Sequence, residues 1–409
     1  MLKGTARQAL NIFCLAAGFG LHSCSVGPTE QRASGTAGVL VFALSDSVDV
    51  RIPGTKTDST WTLNNGAESI HLQSSGAEDG CWTVPIFEGT ICMNGLVGEW
   101  HDVLRSGHYA VPVAWESTPE PADMKPHANT LSWRLTFGVD DPWFGDLTVH
   151  QTSDGQVFGS ISTATGDFRF LHGQLSDSTG LIMQTFDGAH LFRFSATSLP
   201  NGTLTDGVFQ SGNHYATSFT GAVLMENDSP LSEGKEARWT GEMASYAGIN
   251  LDGSPAQWNA ASATGTHILS IMGSWCPNCM DEHRLLVQLM NRHPDLKVHT
   301  LAFERGLDKD DGVEKALNRL NRYASQMGAD QWDDRWTFVL AGPASKKAAA
   351  DSLAFVDRVV SFPTTVVINE NQQEPWIHTG FNGPATGPAY EVEVAKFNRA
   401  INAGLTENR

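Results

Sequence analysis

The stretch "HILSIMGSWCPNCMDE", His267 to Glu282, decides how the second half of this chain is read. "HILSIM" (267–272) is a nearly continuous apolar run, as expected of a strand covered on both faces. It leads directly into "GSWCPNC" (273–279), where two cysteines sit three residues apart. Pro277 then opens a helix whose apolar positions include Leu285, Leu286 and Leu289; proline suits a first turn, where its missing N–H would be unpaired anyway. Cys276 therefore stands at the helix N-terminus and Cys279 about one turn inside, a spacing that brings the sulfurs within bonding range. The free N–H groups and the positive end of the helix dipole favour a thiolate on Cys276.

Such a pair serves as a working dithiol, half of a metal clip or a structural staple. A staple here would close a loop of only four residues, Cys276 to Cys279, where the entropic gain is smallest. Zinc needs a second ligand pair, and this half of the chain holds none. His283, four residues past Cys279, could add an imidazole for copper, but that leaves two or three ligands at most. A low-pKa thiolate at an exposed edge with a resolving partner meets the requirements of thiol–disulfide exchange.

Working outward, "KVHTLAF" (297–303), "WTFVL" (336–340) and "TTVVI" (364–368) are further buried strands. Helical spacing separates them: Val313, Ala316, Leu317, Leu320, Ala324 and Met327, and later Tyr390, Val394, Phe397 and Ile401. Alternating strands and helices predict right-handed βαβ units and a sheet with helices on both faces. Residues 226–409 thus read as an α/β domain. At 409 residues, two domains are the default.

Residues 37–225 read differently. Turn pairs recur at Asn65-Gly66, Asn94-Gly95, Asp154-Gly155, Asp187-Gly188 and Asn201-Gly202, where both residue types tolerate positive φ. Between them lie β-rich runs such as "YAVPVAW", "LSWRLTF" and "DFRFLH". In the last, Phe168 and Phe170 share one face with Arg169 opposite, the period of a half-buried strand. The pattern predicts an all-β antiparallel barrel or sandwich. A four-residue loop, Pro85 to Glu88, would place Cys81 opposite Cys92 for a structural disulfide; a tighter turn at Glu88-Gly89 would leave Cys81 out of reach. "EWHD" (99–102) has a His beside an Asp but no third or fourth ligand in sight.

The first residues differ again. Lys3 and Arg7 precede a run of about 13 apolar residues, Ala9 to Leu21, too short for a membrane span and right for a secretory signal. It ends in "LHSC" (21–24), which resembles the lipobox of bacterial lipoproteins, with Cys24 as the lipid-bearing residue. His22 is unusual there, and an ordinary cleaved signal is the alternative. Residues 1–24 are read as signal and 25–36 as linker. Both readings predict an exported chain, periplasmic or on the cell envelope, touching membrane only through the anchor. The compartment permits disulfides. Formal net charge is −18 with no basic cluster, which argues against nucleic acid as a partner.

With "MGSWCPNCMDE" (272–282), "LAFE" (301–304), "LAGPASKKAA" (340–349), "SFPTTVVIN" (361–369) and "IHTGFNGPATG" (377–387) in order, the second half resembles the thioredoxin-like domain of the TlpA-type disulfide oxidoreductases, within the redoxin group. The resemblance implies that Pro363 is cis and lies against the CxxC, and that Phe362 offers backbone groups to a bound peptide. It implies that Glu282, on the same helix face as Cys279, tunes the dithiol and accepts its proton. Trp275 is expected to cover the thiols and shape the docking surface. The implied partners are protein disulfides and a membrane electron donor, with no organic cofactor and no metal. Two departures stand out: Arg284 where relatives often carry proline, and Pro277-Asn278 with the proline first. Rival readings are a thiol peroxidase, which "GSWCPNC" does not match for want of a threonine motif, and a partner-binding lipoprotein with an auxiliary redox unit.

Overall fold

The structure is a computed structural model describing residues 35–403 apart from 76–79, 103–104, 106–108, 119–126, 177–179, 226–227, 229–230, 232–235 and 371–373. Residues 1–24, read as signal, with Cys24, and most of residues 25–36, read as linker, lie outside the described residues. From Gly35 onward the chain forms one unit built of three sheets.

The first sheet is a closed antiparallel barrel of β1 (Thr36–Ser45), β2 (Val48–Lys56), β3 (Trp61–Asn65), β4 (Glu68–Ser74), β5 (Cys81–Thr83), β6 (Thr90–Asn94), β7 (Val97–Asp102) and β8 (Tyr109–Ser117). Its strands alternate buried and exposed positions, and closure leaves no free edge. Trp61, Trp100 and Phe42 fill the interior. Cys81 stands opposite Cys92 across β5 and β6, and the two form a disulfide.

The second sheet holds β9 (His127–Phe137), β10 (Trp143–Thr152), β11 (Gln156–Thr163), β12 (Gly166–Asp167), β13 (Leu171–Ser176), β14 (Gly180–Phe186), β15 (Leu191–Ser198), β16 (Leu204–Ser211) and β17 (Tyr215–Val223). Pairing of β10 with β11 joins the ends of the sheet, so it too curls on itself around its own apolar core. Where the sequence pattern suggested one barrel or sandwich, there are two curled sheets, because β8 turns back to pair with β1 and completes the first without the later strands. At the five turn pairs only the glycines take positive φ. Asn65 instead ends its strand and hydrogen-bonds through its side chain to the Phe186 backbone.

"DFRFLH" is not a strand throughout: β13 begins only at Leu171, and Arg169 has φ +54° and is buried. Its alternation mimics a strand, but the arginine turns inward because two carboxylates await it there.

The third sheet has the order β19-β18-β22-β21-β20-β23-β24, from β18 (Ser245–Asn250), β19 (Pro255–Asn259), β20 (Thr266–Met272), β21 (Lys297–Glu304), β22 (Trp336–Pro343), β23 (Thr364–Asn369) and β24 (Trp376–Thr379). Only β20, β21 and β22 run parallel, connected through α1 (Pro277–Arg292) and α2 (Gly312–Gln326). The flanking pairs are antiparallel, so the sheet is mixed rather than a simple βαβ series. Ile268 and Met272 face a core completed by α1, α2 and α4 (Pro388–Asn402), continuous with the interior of the first barrel. Leu269 and Ile271 face the other core, which holds α3 (Lys346–Ser352). Among the described residues no helix is long and apolar enough to cross a membrane.

Candidate active site

Strand β20 ends at Met272, and Gly273 to Trp275 carry the chain into α1. Cys276 is the N-cap: its backbone is extended, Pro277 follows in the first turn, and the Cys279 N–H donates to Cys276 Sγ at 3.3 Å. The sulfur thus takes the place that a serine or aspartate oxygen fills at other helix starts, where unpaired N–H groups favour negative charge. Both cysteines are free thiols. Cys276 is 7% exposed and Cys279 fully buried. Burial, followed by the neighbouring Cys276, pushes the Cys279 thiol well above its ordinary range, and Glu282 adds to the rise.

Cys276 Sγ lies 3.5 Å from the Phe362 carbonyl oxygen, and the Phe362–Pro363 peptide is cis. Trp275 packs edge-on against Phe362 and donates its indole N–H to the Phe303 carbonyl at 3.0 Å. Cys276, Cys279, Trp275, Phe362 and Pro363, distant in sequence, meet in one place. Glu282 lies one turn beneath them.

Glu282 is fully buried. Ser270 and Thr365, a directly paired couple across β20 and β23, both donate hydroxyls to it, one to each carboxylate oxygen. Burial raises its pKa to about 7, with the two hydroxyls opposing. The network continues inward: Ser270 Oγ is 3.1 Å from His283 Nε2, and the Tyr323 hydroxyl is 2.9 Å from His283 Nδ1. Burial lowers the His283 pKa to about 3, so the ring is neutral. When Glu282 is ionised, Ser270 spends its proton on it. His283 must then donate from Nε2 to Ser270 and accept from Tyr323 at Nδ1. Both ring nitrogens are thereby engaged in the core and neither is turned to a thiolate–imidazole metal site. Among the described residues no group of three or more His, Cys, Asp or Glu side chains is placed to hold a metal. In "EWHD", His101 pairs with Glu99, and Asp102 with Arg105.

Several groups around the dithiol have partners that no sequence pattern shows. Buried Glu304, at the end of β21, accepts the N–H of Ser274 at 2.8 Å and its hydroxyl at 2.9 Å, and so fixes the loop before Cys276. More unexpected is the second sheet, which reaches the first turn of α1. Asn278, between the two cysteines, donates to Asp167 Oδ1 at 2.6 Å, to the Asp167 carbonyl at 3.1 Å and to the Phe381 carbonyl at 3.2 Å. Burial, followed by the charge of Asp281, raises the Asp167 pKa to about 7. Arg169, 1% exposed, grips Asp281 of α1 at 2.7 and 3.2 Å and Glu68 of the first barrel at 2.6 and 3.3 Å. Arg284 adds a contact to Asp281 at 2.9 Å. The spacing of "DFRF" is silent on this, because its partners lie 101 and 112 residues away.

Several solved structures are similar to part of this chain. A thiol:disulfide interchange protein of Chlorobium tepidum is 18% identical, with a TM-score of 0.27, over 40% of this chain and 94% of that one. A secreted Mycobacterium tuberculosis disulfide oxidoreductase is 14% identical, with a TM-score of 0.25, over 37% and 95%. A SCO1/SenC family lipoprotein of Bacillus anthracis is 17% identical, with a TM-score of 0.26, over 41% and 98%. No family model and no curated protein sequence matches the chain.

Proposed function

We propose that this chain is an exported thiol–disulfide oxidoreductase of the thioredoxin-like, TlpA type, working as a reductase and anchored through Cys24. The observation that supports it most is Cys276, capping α1 with its sulfur against the carbonyl that precedes a cis proline, above a buried carboxylate. Cys276 attacks a substrate disulfide as the thiolate and forms a mixed disulfide. Cys279, whose thiol burial keeps protonated, gives its proton to Glu282 and attacks Cys276 Sγ. The substrate leaves reduced and the protein is left with a Cys276–Cys279 disulfide. A membrane thiol donor restores the dithiol.

Trapping tests the reading. A Cys279→Ser variant should accumulate a mixed disulfide on Cys276, and Cys276→Ser should reduce nothing. Full activity in Cys276→Ser would overturn the assignment.

A further inference from the structure

The site is covered on one side and open on the other. On the covered side, the turn between β11 and β12 lies against the loops that flank the cis proline. Ser361 donates its hydroxyl to the Thr165 carbonyl at 2.9 Å. A Cβ on Gly380 would come within 2.4 Å of the Thr165 carbonyl carbon, so the backbones touch there. Asp167 holds Asn278 on the same side. The turn thus crowds Ser361 and Gly380, on either side of the cis proline, and narrows this flank of the site.

The open side is the next strand end. β20, β21 and β22 are parallel neighbours about 4.8 Å apart, and ligands of such sheets gather at the carboxyl ends of the strands. The dithiol follows the end of β20. Arg305 follows the end of β21, and its guanidinium lies 4.2 Å over the Trp275 ring; burial lowers its pKa, opposed first by the charge of Asp102 and then by that of Cys276. Beyond Arg305 a cavity of about 870 Å³ opens between the third sheet and the two curled sheets, and its volume is within the size range of small-molecule sites. Arg305 lines it and Cys276, Trp275 and Phe362 do not, so Arg305 is the link between the cavity and the dithiol.

Its charge reverses that of the chain. Lysine and arginine number 27 against 45 acids overall, yet Arg105, Arg305 and Lys309 line this cavity against Glu304 and Asp308, while His190, also in the lining, is paired with Asp187. Glu304 is committed to Ser274 and Arg319, and Arg105 to Asp102. Arg305 is half-buried and, among the described residues, has no carboxylate in ion-pair contact. It is the cation that a bound anion beside the dithiol would meet.

We infer that the substrate is a small, slender disulfide bearing carboxylates, admitted through this cavity with a carboxylate on Arg305, rather than the protein disulfides expected from the sequence. This rests on the oxidoreductase reading above. The Cys276 thiolate attacks the nearer sulfur, the substrate S–S bond breaks, and one thiolate leaves and takes a proton from solvent. Cys279 then displaces the second from Cys276. Two electrons pass from the dithiol, and two substrate thiols appear for each protein disulfide formed.

The test is single turnover of the pre-reduced full chain, freed of reductant, with thiol release followed for four disulfides: dithiodipropionate (a dianion), hydroxyethyl disulfide (neutral), cystamine (a dication) and insulin. The dianion should react fastest, about five- to tenfold ahead of the neutral compound, with the dication and insulin slowest. Arg305→Gln should shrink the ratio of dianion to neutral rates toward one, Arg305→Lys should keep the order, and added salt should compress it. Equal rates for all three small disulfides, insulin keeping pace with the dianion, or a ratio unmoved in Arg305→Gln would overturn this inference alone. If wild type releases no thiol from any of the four, the oxidoreductase reading itself fails.

Discussion

Replacing Arg169 with methionine removes the guanidinium that holds Asp281 of α1 and Glu68 of the first barrel against the second sheet. Methionine keeps most of the apolar stem and none of the five N–H donors. Asp281 and Glu68 have side chains 2% and 12% exposed, so each keeps its desolvation cost and loses its main partner. Breaking a buried pair in this way costs about 3–5 kcal/mol. Arg284, half-exposed on Asp281, recovers less than about 1 kcal/mol of it. The loss is capped by the free energy of lifting the hairpin off α1, since the carboxylates then regain water. The assay is hydrogen exchange at residues 163–170 and 277–284, because a chain of three sheets need not unfold in one step. A cost near 3 kcal/mol should speed opening-limited exchange there by about a hundredfold. The sign with pH follows from Glu68, whose carboxyl is already raised, by burial first and against the pull of Arg169. A raised carboxyl contributes stability that is full below the unfolded value and lost as pH rises through the folded one. Removing Arg169 raises it further, so the defect should be largest near neutrality and shrink as pH falls toward the ordinary carboxylate range. Exchange within a few-fold of wild type, or a defect that grows in acid, would refute the reasoning.

Glu282→Gln should slow resolution of the mixed disulfide by about 10²-fold while leaving its formation visible by mass spectrometry. The same variant tests the linkage: a carboxyl raised from 4.5 to about 7 contributes stability present below about pH 4.5 and lost as pH rises through about 7, so melting curves should show E282Q gaining about 3 kcal/mol on wild type between acid and mildly alkaline buffer. Asp167→Ala removes the side-chain acceptor of Asn278, leaving the carbonyls of residues 167 and 381, and Asp167→Asn keeps a side-chain acceptor. The dithiol's reduction potential should therefore move by tens of millivolts in the first and by less in the second, measured against a thiol redox buffer. Gly380→Ala meets the Thr165 backbone at a position with φ +79°, costing about 1–3 kcal/mol, and should loosen the hairpin to proteolysis near residue 165.

Features carried by neighbours in sequence were legible. The apolar run before Gly273, the proline after Cys276 and the glycines of the turn pairs each act within a few residues, where period and backbone preference are decisive. The position of Glu282 on the Cys279 face follows from helical spacing, but its two hydroxyl donors do not. Ser270 reads as a flaw in an apolar strand, and Thr365 as an ordinary β-former. Only the register of β20 against β23 makes them a pair. Arg169 was misread for a related reason. Alternation places a residue on one of two faces, and nothing in it tells solvent from a buried carboxylate supplied by another sheet. The two curled sheets could not be separated in advance either, since closure depends on which strands meet and each strand looks alike.

The hydrogen bonds of Asn278 bear on modularity. A fragment beginning near residue 226 keeps both cysteines, the cis proline and Glu282, every residue that the proposed dithiol mechanism names. It would also expose Asp281 without Arg169, leave Asn278 without Asp167, and uncover the backbone at Gly380 and Ser361. Its dithiol would sit in a different electrostatic setting and, if the full chain selects small disulfides as inferred above, should accept substrates that the full chain turns away. Rates measured on such a fragment would describe a more permissive catalyst, and the gap between the two proteins would measure how much selectivity the curled sheets impose.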